Sequence, residues 1–138
     1  MSLKFFRRNL MKKLGLVAFT FLFVGCFSNS PTPQLELEKN VERNIAEKNE
    51  VVFKETYGKV VNEVDAQKLN ECVAAALTKQ LTQNEKLFLG GSAKERLETK
   101  DASESALKKI SITSSESKAA IKTCSAAIGV AKAIGKIK

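Results

Sequence analysis

The 138-residue chain holds three cysteines and no histidine, and that inventory limits the chemistry open to it. Without histidine there is no Ser-His-Asp or Cys-His nucleophile system, and no zinc site of the common kinds. Cys26, Cys72 and Cys124 lie too far apart to form a Cys-x-x-Cys redox or metal motif. Ser105-Ala-Leu-Lys108 and Ser115-Glu-Ser-Lys118 both carry the Ser-x-x-Lys spacing of penicillin-binding enzymes. Two matches are what chance supplies in a chain so rich in Ser and Lys, and the partner motifs are absent. Gly90-Gly-Ser-Ala-Lys94 lacks the spacing of a phosphate-cradling loop and reads better as a helix stop. Glu85, Glu95, Glu98 and Glu104 read as helix caps and solvated faces rather than as an acid–base pair. The expectation is a chain with no catalytic residue, no metal site and no cofactor.

The elements that would carry these residues are helical. Proline is absent after residue 33, and long stretches rich in Glu, Lys, Ala, Leu and Gln favour helix intrinsically. The clearest element runs from about Ala66 to Leu81, where Leu69, Cys72, Val73, Ala76, Leu77 and Leu81 recur at three and four. Asp65 is its expected N-cap. Capping-box patterns follow, Ser or Thr with Glu three residues later. Thr82 with Glu85 opens a short helix that Gly90-Gly91 should end, and Ser92 with Glu95 opens another. Asp101 with Glu104 is a related start, and Thr113 with Glu116 precedes a last long element striped by Ala120, Ile121, Cys124, Ala127, Ile128, Ala131 and Ile134. Upstream, Leu37, Val41, Ile45 and Val52 suit an amphipathic helix, although residues 51–61 also read as a hairpin around Tyr57-Gly58. Phe53 and Phe88 are expected in the core. The fold expected is all-α: a small bundle with two long amphipathic helices and several short ones.

The N-terminus reads as an address. Residues 1–13 are basic and hold no acid, and Leu14 to Gly25 are all apolar or small except Thr20. Twelve residues are too few to span a bilayer, which takes about 20, but they suit the apolar core of a secretory signal. Met11-Lys12-Lys13 could start such a signal by itself, with residues 1–10 as an extension ahead of it. Phe23-Val24-Gly25-Cys26 resembles the lipobox of bacterial lipoproteins, in which a cysteine follows a small residue at the end of the apolar run. The resemblance covers residues 1–26 alone. It implies cleavage before Cys26, diacylglyceryl attachment to the Cys26 thiol and acylation, commonly palmitate, of the new amino group. The chain then divides into a signal (1–25), a lipidated cysteine with a flexible tether (26–34) and a helical envelope domain (35–138). Phe27 stands where an inner-membrane lipoprotein of enteric bacteria tends to carry Asp, so the resemblance leans to the periplasmic face of the outer membrane.

That division also re-reads the charge. The formal +8 includes five basic residues of the signal, leaving 18 basic against 15 acidic residues beyond it. A net +3 with few aromatics gives little footing for nucleic acid. Export also gives Cys72 and Cys124 a use. Each lies on the apolar stripe of a long helix, so both should face one core, and outside the cytoplasm two such thiols are expected to join. The function expected is a lipid-anchored, non-catalytic structural or interaction module with an envelope protein as partner. The alternative is a membrane- or polymer-binding protein acting through the basic segment Ala127–Lys138.

Overall fold

Helix formation begins where the prolines stop. The carbonyl of Pro33 accepts from the Leu37 N–H, and α1 (Gln34–Tyr57) then runs unbroken for 24 residues. The hairpin alternative for residues 51–61 is therefore not adopted: Tyr57 is still helical and the turn falls at residues 58–61. The computed structural model describes residues 31–137, which lie in one compact unit. Cys26, the signal and most of the tether lie outside the described residues. Past α1 come α2 (Glu63–Gln80), α3 (Gln83–Gly90), α4 (Ala93–Glu98), a 3-10 turn (Lys100–Ala102), α5 (Ser103–Ile110), α6 (Ser115–Ile128) and α7 (Ala131–Ile134). No strand occurs among the described residues, so the fold is an all-α bundle. None of their helices is long and apolar enough to cross a membrane.

The caps show how locally each boundary is set. Thr82 and Glu85 form a reciprocal capping box on α3, and Ser92 and Glu95 form one on α4, as their spacing predicts. Gly91 closes α3, with its N–H bonded to the Leu87 carbonyl. Three expected starts differ. Asn62, not Asp65, caps α2: its side chain accepts from the Asp65 N–H at 2.8 Å, from a strained backbone with φ of 97° and ψ of 164°. Asp101 falls inside the 3-10 turn, and α5 begins after Ala102 with no side-chain cap. Ser114, one residue past Thr113, caps α6; its hydroxyl accepts from the Ser117 N–H and donates to the Lys109 carbonyl of α5.

Helix α2 is the central element, packed against α1 on one side and α6 on another. Leu69, Val73, Leu77 and Leu81 are buried as the apolar stripe predicts, and Ala66, Ala74, Asn70 and Thr78 are buried too. On α1 the inward face is Leu37, Val41, Ile45, Asn49, Phe53 and Tyr57. Val52, expected on that face, is exposed, because the recurrence passes through Asn49 to Phe53. Two buried asparagines tie helices together: Asn70 Nδ2 donates to the Ala46 carbonyl at 2.8 Å, and Asn49 Nδ2 to the Ile110 carbonyl at 2.9 Å. Phe88 is only half-buried, since α3 is a short outer helix, whereas Phe53 is in the core.

The last stripe is broken. Gly129 ends α6 in the left-handed conformation (φ 87°), and α7 is a separate four-residue helix. Ala127 and Ala131 are therefore exposed, while Ile128, Ile134 and Ile137 still pack against the core.

Candidate functional site

Three polar arrangements and one covalent one gather the residues of chemical interest. The covalent one joins Cys72 of α2 to Cys124 of α6 in a disulfide, with Cα atoms 5.9 Å apart and 52 residues of separation. Cys124 is buried and Cys72 half-buried beside it. The two long stripes thus meet at the pair, as their helical spacing requires.

Glu85 is the first polar centre. It is only 3% exposed, though part of a capping box. Its Oε2 accepts from the Thr82 N–H at 2.8 Å and from Lys109 Nζ of α5 at 3.0 Å, while Ser105 donates to Oε1 at 2.8 Å. Burial opposes ionisation of this carboxyl, but the bonds from Thr82, Lys109 and Ser105 outweigh it and hold its pKa below the ordinary carboxylate range. A buried charge is tolerable only when so paired. The cluster is a joint between α3 and α5, and every partner of Glu85 is spent on it.

The arrangement also bears on the Ser-x-x-Lys motifs. Ser105 bonds Glu85 rather than Lys108, and Ser115 donates to its neighbour Glu116. Glu98 and Glu104 are solvated, as the sequence suggests. Among the described residues no group of three His, Cys, Asp or Glu side chains is placed to hold a metal ion.

Glu95 is the second centre. Besides closing the box with Ser92, it receives Thr32: the Thr32 N–H donates to Oε1 at 2.9 Å and the hydroxyl to Oε2 at 2.6 Å. Partial burial works against the charged form, yet the Thr32 hydroxyl and the N–H groups of Ser92 and Thr32 lower the pKa to about 2. Residues 31–33, expected to belong to a flexible tether, are therefore fastened at Thr32, and Gln34 already belongs to α1. Gly91 is required beside this clamp, since an added Cβ would stand 2.5 Å from the Leu87 carbonyl oxygen as well as 2.8 Å from Glu95 Oε2.

The third feature is a groove of about 470 Å³ along α1 and α2. Ala46, Phe53, Ala66, Asn70 and Ala74 contribute its less polar lining, and charged residues such as Arg43 and Glu71 its edges. Asn70 Oδ1 is buried here without a hydrogen-bond partner.

No protein-family model matches the chain, no curated protein matches it, and no solved structure matches it. Sequence reasoning missed the convergence of Glu85 with Lys109 and of Thr32 with Glu95. The first partners are 24 residues apart and the second 63, with no local pattern linking them. What the sequence shows of either glutamate is its capping-box spacing alone.

Proposed function

We propose that the protein is a lipid-anchored, non-catalytic envelope module that presents a rigid helical surface to a protein partner. The observation that carries this reading is the Cys72–Cys124 disulfide. Disulfides persist in oxidising compartments and are rare where glutathione and thioredoxin keep thiols reduced. Together with a basic, apolar N-terminus ending in Gly25-Cys26, it supports export and acylation at Cys26. The engagement of Glu85, Glu95 and Ser105 in helix joints supports a structural use of those groups rather than a catalytic one. The groove along α1 and α2 is the surface offered to a partner, because its alanines let another backbone approach closely.

The second reading, a membrane- or polymer-binding C-terminus, has two observations against it. Ile128, Ile134 and Ile137 are spent on the core, and Gly129 interrupts the helix that would have to insert. Deleting residues 129–138 should then lower the unfolding temperature rather than selectively abolish vesicle binding.

The lead reading is tested in cells making the full chain. Radiolabelled palmitate should enter the wild type and not Cys26→Ser, and wild type alone should partition into detergent. A photo-crosslinker at Glu47 or Glu71 should capture an envelope protein, whereas one at Lys118 or Lys122 on α6 should not. Equal labelling of both forms would exclude Cys26 as the anchor, and no capture from the groove would remove the interaction role.

A further inference from the structure

Among the described residues one buried side-chain polar atom has no hydrogen-bond partner, and it is Asn70 Oδ1. Asn70 is 4% exposed and lines the groove along α1 and α2. Turning the amide over would not relieve it. Nδ2 already donates to the Ala46 carbonyl at 2.8 Å, and exchanging the two ends would set oxygen against oxygen. A buried acceptor left unmade is costly, and such an atom in a native fold calls for an explanation.

The groove around that atom is rich in acceptors and short of free donors. Glu71 follows Asn70 and Glu47 follows Ala46, and both line the groove. Neither carboxylate has an ion-pair partner among the described residues. Of the basic residues there, Lys54 is joined to Glu50 at 2.8 Å and Arg43 donates to Asn40 Oδ1 at 3.1 Å. Lys39 lies about two turns of α1 before Ala46. A metal ion would need several oxygens within about 2.6 Å, and no three acidic side chains among the described residues are placed to hold one. An organic cation suits the place better, because its several N–H donors reach separated acceptors from a single charge. The alanines of the groove suit the aliphatic stem of such a cation.

We propose that the groove recognises its protein partner by an arginine, whose guanidinium donates to Asn70 Oδ1 with the Glu71 and Glu47 carboxylates as its counter-charges. This rests on the groove being the partner surface, as put forward above, and adds what the partner must carry. Arginine is favoured over lysine because its planar fork holds five donors and gives up water more readily. Oδ1 lies below the groove surface, so a rim side chain must move before a donor reaches it. Gln67, three residues before Asn70 and thus its neighbour on the helix face, is placed to do so. It is exposed, and its one side-chain hydrogen bond is to Glu71 Oε1 at 3.2 Å. A guanidinium that takes the Glu71 carboxylate releases Gln67 and opens the way to Oδ1.

The test uses full-length protein in detergent micelles and a fluorescein-labelled alanine–glutamine helical peptide with one central arginine and no other charge. Companion peptides carry norleucine or citrulline at that position. In anisotropy titrations the arginine peptide should bind about tenfold more tightly than either companion, the scale of one hydrogen bond to a charged group. Glu47→Gln with Glu71→Gln, both at exposed positions, should remove that difference. In 15N-labelled protein the arginine peptide should shift the side-chain amide resonances of Asn70. Those of Asn49, which is buried but does not line the groove, should stay in place. Equal binding of the three peptides, no binding of the arginine peptide, an unchanged preference in the double variant, or equal shifts at Asn49 and Asn70 each overturn the proposal. If crosslinkers at Glu47 and Glu71 still capture an envelope protein in that event, the groove remains the partner surface and only the arginine is lost. If they capture nothing, the reading beneath it is lost as well.

Discussion

Two kinds of joint hold the bundle together. Where α2 meets α6, the joint is a disulfide set among apolar side chains: Leu69, Val73, Ile121 and Cys124 are all buried. The other joints are made by two carboxylates, Glu85 between α3 and α5 and Glu95 between α4 and Thr32, each accepting three hydrogen bonds, two of them from residues distant in sequence. The first kind of joint is indifferent to pH and sensitive to reductant. The second is the reverse. A domain near 100 residues has little stability to spare, so the contrast predicts that the two kinds of joint fail under different conditions.

The largest effect should come from the covalent joint. Replacing both Cys72 and Cys124 by Ala should cost about 4 kcal/mol in the chain-entropy account of a loop this long, read as a fall in urea midpoint that reductant reproduces in the wild type. If dithiothreitol leaves the wild-type midpoint unchanged, the covalent joint contributes nothing and the contrast fails. Next, Glu85→Ala should cost about 2–3 kcal/mol, since it removes a cap and leaves Lys109 half-buried without its partner. Restoring stability with the companion Lys109→Met would sharpen the assignment of that loss to the stranded charge. Gly90→Ala should cost about 1–3 kcal/mol by overpacking, because the new Cβ would stand 2.7 Å from Val41 Cγ2.

Acid should separate the two kinds of joint without mutation. Glu85 and Glu95 both have folded-state pKa values lowered from 4.5, Glu95 to about 2. A group depressed in this way contributes stability that is fully present above its unfolded pKa and is lost as pH falls through its folded pKa. Protection of α3 and α4 amides against hydrogen exchange should therefore decline between about pH 4.5 and 2, ahead of α2 and α6. Simultaneous loss would mean the two joints are not separable. The smallest effect is Thr32→Val, which removes one hydroxyl bond and should cost about 1 kcal/mol, seen chiefly as faster proteolysis ahead of Gln34.

The two joints were also unequally legible. Helix periodicity placed Cys72 and Cys124 on facing stripes, and a core that accepts both stripes brings them together. The capping boxes at Thr82 and Ser92 were readable because they are local, closing within four residues. What lay hidden was long-range. Nothing near Glu95 marks Thr32 as its partner, and nothing in the Ser105 motif points to Glu85. The shifted caps have a similar cause: Asp65 and Thr113 are good capping residues, but Asn62 and Ser114 fit the incoming turns. The stripe from Ala120 to Ile134 misled for a different reason. Its spacing continues through Gly129, whose left-handed backbone turns the chain regardless of its neighbours. Val52 lost its place on α1 to Asn49 and Phe53 because the buried face accepts a polar residue when a carbonyl waits for it.

Those asparagines have a further consequence. Asn49 spends its amide on the Ile110 carbonyl, and Asn70 on the carbonyl of Ala46. Apolar contacts are non-directional and specify the alignment of α1 on its neighbours less sharply than a hydrogen bond does. A one-turn slide of α1 would part Asn70 from the Ala46 carbonyl and Asn49 from the Ile110 carbonyl. The two side chains work like the teeth of a key, permitting one alignment of the helices and rejecting its near neighbours.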